Sequence, residues 1–140
     1  MPDPVPRVLV ADASLPNRRL IRELLTAFRQ CEIDDAASAE HAFERAVQRE
    51  YSLFLFAIAL PDASGILLDR FLAMVYPKVH GNVITAPPVV FLTRSEDTAA
   101  YREVQSHARV RGAVPLPLNL DMLMNVVGAH LPAKEGGRPG

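Results

Sequence analysis

The sequence predicts an α/β fold, a parallel β-sheet covered by helices on both faces. Short apolar runs alternate five times with segments whose apolar residues recur at helical spacing. The connections between them are short, as expected where each helix crosses back over a parallel sheet. The strongest run, 52–59 (Ser-Leu-Phe-Leu-Phe-Ala-Ile-Ala), is apolar on both faces, as a strand in the middle of such a sheet must be.

Residues 7–11 (Arg-Val-Leu-Val-Ala) read as the first buried strand. Pro16 then sits early in a helical pattern, where its missing N–H costs little. Leu20, Ile21, Leu24, Leu25 and Phe28 form one apolar face of that helix, and Arg18, Arg22 and Arg29 fall opposite as a solvated basic stripe. Residues 31–36 are a weaker strand, and 39–50 a second helix with Ala42, Phe43, Ala46 and Val47 turned inward. After the 52–59 strand, Pro61, Asp62, Ser64 and Gly65 mark a loop and 66–75 a third helix. Pro77, Gly81, Pro87 and Pro88 make 77–88 a long loop. Residues 89–93 are the fourth strand, 98–108 the fourth helix and 114–116 a short fifth strand. Asn119 caps a last helix running to about residue 131. The expected organisation is an extended lead (1–6), one folded domain (7–131) and a disordered glycine-rich tail (132–140).

The 140 residues suit one domain with a real core, and 49% apolar with 22% charged residues is a soluble balance. A net charge of −1 offers no electrostatic footprint for nucleic acid or an acidic membrane. The lone Cys31 has no disulfide partner and reads as a small apolar filler. The unpaired Cys31 suits a reducing cytoplasm, which is the expected location; no apolar run reaches membrane length, and the proline-rich, acidic start is unlike a signal peptide. His41, His80, His107 and His130 lack metal-ligand spacing. The first strand leads into Asp12-Ala13-Ser14-Leu15-Pro16-Asn17, so no glycine loop cradles a phosphate.

Several landmarks lie in a telling order: Val8 to Asp12, Ala36 to Phe43, Leu53 to Pro61, Gly65, Val89 to Thr93, and Gly112 to Leu118. Over roughly 7–131 they resemble the receiver domain of bacterial response regulators, the CheY-like family. The resemblance implies a flavodoxin-like, three-layer α/β/α fold with strand order 2-1-3-4-5. It also implies a phospho-acceptor site at the carboxyl ends of the strands. There the family uses a carboxylate acceptor on the third strand, an acidic pair holding Mg²⁺ after the first, a hydroxyl residue after the fourth and a lysine after the fifth. Carried over residue by residue, the acceptor falls on Ala57 and the acidic pair on Ala11 and Asp12. The hydroxyl is Thr93, the lysine becomes Leu116 ahead of Pro117, and the aromatic switch position falls on Ala113. Ser64 stands where an acidic residue often precedes the loop glycine. Ala57 with Leu116 reads as joint apolar replacement of a buried charge pair, which can be neutral or stabilising. Asp62 and Ser64 lie beyond the strand end, in a loop, and are not expected to serve as substitute acceptors; Asp12 is expected to bond loop N–H groups and not a cation.

The expected function is therefore a non-catalytic, phosphorylation-independent interaction module in two-component-type signalling, without cofactor or Mg²⁺. Its contact face is placed on the last helix. Leu120, Leu123, Met124, Val127 and Leu131 dock that helix, and Met122, Val126 and Ala129 lie outward for a signalling partner or a second copy. The alternative is a sensor of a small anionic, nucleotide-type ligand through Arg18, Arg22 and Arg29, or through Arg109 and Arg111.

Overall fold

The computed structural model describes residues 4–134. Five strands, β1 (Arg7–Ala11), β2 (Glu32–Ala36), β3 (Leu53–Ala57), β4 (Val89–Thr93) and β5 (Val110–Pro115), form one sheet. All pair in parallel, in the order β2-β1-β3-β4-β5. The connecting helices are α1 (Leu15–Phe28), α2 (Ala39–Gln48), α3 (Gly65–Val79), α4 (Thr98–Val104) and α5 (Leu120–Val126). This is the expected flavodoxin-like fold.

Strand alternation divides the core in two. Leu9, Ala11, Phe54, Phe56, Val89 and Phe91 meet Leu68, Leu72, Tyr76 and Val104 on the α2–α3–α4 face. Val8, Val10, Leu53, Leu55, Ala57, Val90 and Leu92 meet Ile21, Leu25, Leu123 and Val127 under α1 and α5. Every residue of β3 and β4 is buried, because both strands are covered on both sides. Helix starts follow local chemistry. Ser14, Ser38, Ser64 and Asn119 each accept a backbone N–H from the first turn of α1, α2, α3 and α5.

Several boundaries differ from the expectation. Helix α3 continues through Pro77 to Val79, because tertiary contacts hold its last turn. The buried Tyr76 hydroxyl accepts the Tyr51 N–H at 2.7 Å, and the His80 ring bonds the Ala46 carbonyl at 2.7 Å. Helix α4 ends at Val104, and β5 begins at Val110, earlier than 114. Its early pairing needs a bulge: Val89 pairs with Val110 but Val90 with Gly112, which sits at φ 145°. Helix α5 gives way at Val127 to a single 3₁₀ turn, Gly128–His130. In α1, Leu20 and Phe28 are exposed; Ile21 and Leu25 alone are fully buried there, with Leu24 packed partly against them. Leu120, in the first turn of α5, is likewise exposed.

Residues 132–134, at the start of the expected tail, make contacts with the end of α1. Gln30 donates to the Pro132 carbonyl at 3.0 Å, and Arg29 bridges to Ala133. Val5 and Lys134 line one recess with Thr26, Arg29, Gln30 and Cys31, at the amino ends of the strands. The rest of the expected tail, 135–140, and the start of the lead, 1–3, lie outside the described residues. Among the described residues no helix is long and apolar enough to cross a membrane.

Candidate functional site

The carboxyl ends of β1, β3 and β4 and the loop after β5 surround a cleft of about 240 Å³. Ala57, Ala59, Leu92 and Leu116 supply its apolar wall, and Asp12, Ser14, Asn17, Arg94 and Asp97 its polar rim. Ala57 is the last residue of β3, on the α1–α5 face. Its carbonyl explains Gly65, where a Cβ would run into that oxygen. Leu116 is placed by its own N–H, which donates to the Thr93 carbonyl at 2.8 Å. The bond to Pro117 is cis.

Asp12 is buried, and its carboxylate accepts the Ser14 N–H at 2.7 Å and the Asn17 side-chain amide at 3.2 Å. It thus organises the turn into α1, as its place in the sequence implies. The other cleft carboxylate, Asp97, was not anticipated. It accepts the Arg94 N–H at 2.8 Å, and the Arg94 guanidinium spans its two oxygens at 3.2 Å each. Burial alone would raise the Asp97 carboxyl; the bonds from Arg94 outweigh it and hold the group below the usual carboxylate range. The available signal was the polar run Arg94-Ser95-Glu96-Asp97 directly after a strand, a helix-entry pattern.

Three expected site residues, Ala11, Thr93 and Pro117, do not line the cleft. Ala11 points into the α2–α3–α4 core, because strand alternation sends it to the face opposite Val10. Thr93 is buried at the end of β4, in register with Pro115, and does not line the space. Pro117 is exposed, past Leu116, and does not line the space. Asp62 is occupied elsewhere: its two oxygens accept the N–H groups of Ala39 and Glu40 at 2.8 and 2.9 Å. Those bonds, Glu40 first, hold its carboxyl below the usual range. Ser64 caps α3 through Ile66 at 3.0 Å.

The basic stripe is not a free surface. Arg18 bonds Asp35 at 2.9 Å and the Asp12 carbonyl at 2.8 Å, and Arg22 bonds the Ile33 carbonyl at 2.8 Å. Arg29 lies past the end of α1 and donates to the Gly128 carbonyl at 2.9 Å, far from the other two. Arg109 grips Asp69 with two bonds, at 2.7 and 3.0 Å, and reaches the Pro87 carbonyl at 2.7 Å. Arg111 bonds the Ala108 carbonyl. These guanidinium groups are turned into the chain's own acceptors and form no common anion pocket.

The expected face on the last helix is narrower than its spacing implies. Met122 and Ala129 are exposed. Val126 packs against the sheet, its Cγ1 3.0 Å from where a Cβ on Gly112 would stand, so it belongs to the docking side. The bare Cα of Gly112 leaves the space that draws Val126 in. A larger exposed apolar set, with no counterpart in the sequence expectation, lies on α3: Leu67, Phe71 and Met74.

No protein-family model and no curated protein matches this sequence. Solved structures do. The signal receiver domain of an HD domain-containing protein from Pseudomonas fluorescens Pf-5 superimposes with a TM-score of 0.76 at 18% identity, covering 94% of this chain and 90% of that one. The chemotaxis response regulator CheY4 of Vibrio cholerae gives 0.73 at 19%, covering 91% and 100%. A structure described as adenylate cyclase from Rhodopirellula baltica gives 0.75 at 14%, covering 91% and 87%. At these identities the likeness establishes a fold, the CheY-like receiver fold.

Proposed function

We propose that a chain with this receiver fold works as a non-catalytic, phosphorylation-independent interaction module in bacterial two-component-type signalling, in the cytoplasm. The observation that carries the reading is Ala57. A methyl group stands at the carboxyl end of the central strand, where an acceptor would need a carboxylate. Asp12 and Asp97, the two carboxylates there, are already bonded to Ser14, Asn17 and Arg94. The donor set does not fit Mg²⁺, which takes oxygen ligands in an octahedron. Asp12 alone faces the cleft without a cation on it, and Arg94 would repel a second positive charge. No cofactor is assigned. The partner is a signalling protein or a second copy of the chain, not nucleic acid or membrane. Met122 and Ala129 remain as its last-helix contacts.

Acetyl phosphate tests this directly. After incubation with excess reagent and Mg²⁺, the intact mass is expected to stay unchanged. A stable gain of one phosphoryl group mapped to an aspartate would overturn the reading.

A further inference from the structure

Helix α3 turns more apolar surface outward than α5 does. Leu67 is 43% exposed, Phe71 51% and Met74 63%. With Lys78 they follow the spacing i, i+4, i+7, i+11 and form one ridge along the helix. The ridge borders a groove of about 390 Å³ between α2 and α3, with Phe43 and Leu68 in its walls. Isolated exposed side chains are ordinary, but a contiguous ridge beside an apolar groove marks a contact surface. The face carries charge of both signs, with Arg70 exposed beside the ridge, three residues from Leu67 and four from Met74. Glu40, Glu44 and Asp62 rim the groove toward the amino ends of α2 and α3. Lys78 ends the ridge at the carboxyl end, 11 residues and about 16 Å from Leu67.

We propose that this face binds a second copy of the chain, with two α3 helices antiparallel about a two-fold axis passing between Phe71 and Met74. A two-fold interface must complement itself. Antiparallel pairing sets Lys78 of each protomer beside Glu40 and Asp62 of the other, and lets Phe71 and Met74 cover one another. An unlike, cationic partner would suit a rim of one sign, whereas this face carries both signs: Glu40, Glu44 and Asp62 along the groove, and Arg70 and Lys78 along the ridge. A single helix pair buries less than the roughly 1,200 Å² of a standard stable interface, so the dimer is weak and forms at micromolar concentrations. The inference deepens the reading of the chain as an interaction module. Its test is independent of phosphorylation, so either proposal can fail alone.

Sedimentation velocity on the full chain over a wide micromolar range is expected to show a monomer–dimer equilibrium. Phe71→Glu should weaken it by about ten-fold or more, with the circular dichroism unchanged. Lys78→Glu should also weaken it, and adding Glu40→Lys should restore it, because both protomers then carry the swapped pair. A monomer at every concentration would overturn the proposal. So would a dimer that survives Phe71→Glu, or one that dissolves only on Met122→Glu. Should Phe71→Glu unfold the chain, the exposed Lys78 swap decides alone: no restoration in the double variant refutes the two-fold arrangement.

Discussion

Ala57, at the end of β3, and Leu116, just past the end of β5, face the same cleft, and their chemistry agrees: neither brings a charge that the other lacks a partner for. A double-mutant cycle measures this agreement. Leu116→Lys sets an ammonium against an apolar wall and is expected to cost about 1–3 kcal/mol, with Asp12 across the cleft tempering the loss. Ala57→Asp sets a carboxylate near Asp12 and should also destabilise. Together they should recover about 1 kcal/mol or more of coupling in urea unfolding. Strict additivity would mean that the two side chains do not meet. Asp12, Ala57 and Leu116 were legible in the sequence, since each sits at or just past a strand end and the strands were readable. Ala11 was misplaced because its face depends on alternation along β1, with Leu9 and Ala11 on one side and Val8 and Val10 on the other. Arg94 and Asp97 were missed because their pairing depends on the path of the backbone after β4, which apolar periodicity does not record.

Among the elements, apolar pattern located all five strands and all five helices, while their ends depended on contacts between them. Pro77 is the clearest case. Its missing N–H normally stops a helix, yet the anchored Tyr76 and His80 carry α3 a turn further. The start of β5 was hidden because Arg109, Arg111 and Gly112 break the apolar run that marks a strand. Asp62 shows contact between elements acting on a helix end: from the loop after β3 it bonds the first N–H groups of α2. Asp62→Ala is expected to lower stability at neutral pH by about 0.5–1 kcal/mol, since Ser38 still caps the helix. The pH dependence follows from the lowered carboxyl pKa. A carboxylate depressed in the folded state stabilises above its ordinary pKa, and the benefit fades as pH falls through the folded value. The gap in melting temperature between wild type and Asp62→Ala should therefore close in acid. A gap that persists there would assign the effect to something other than the carboxylate.

Across the whole molecule, one ion pair ties distant parts together. Arg109, at the entry to β5, holds Asp69 of α3 and the carbonyls of Ala86 and Pro87. It thereby pins the long connection between α3 and β4 to the sheet. Removing one member leaves the other's charge buried, so Asp69→Ala is expected to cost about 3–5 kcal/mol. Asp69→Leu with Arg109→Met should lose much less by thermal denaturation. Equal losses would place the importance of Arg109 in its carbonyl bonds alone. The recess shared by Val5 and Lys134 has a different consequence. Both ends of the described chain leave from the amino-terminal pole of the sheet, while the cleft opens at the opposite pole. Anything joined there, a dye, a bead or another protein, would act as a handle: the module could be held by either end while its cleft still faced the solution.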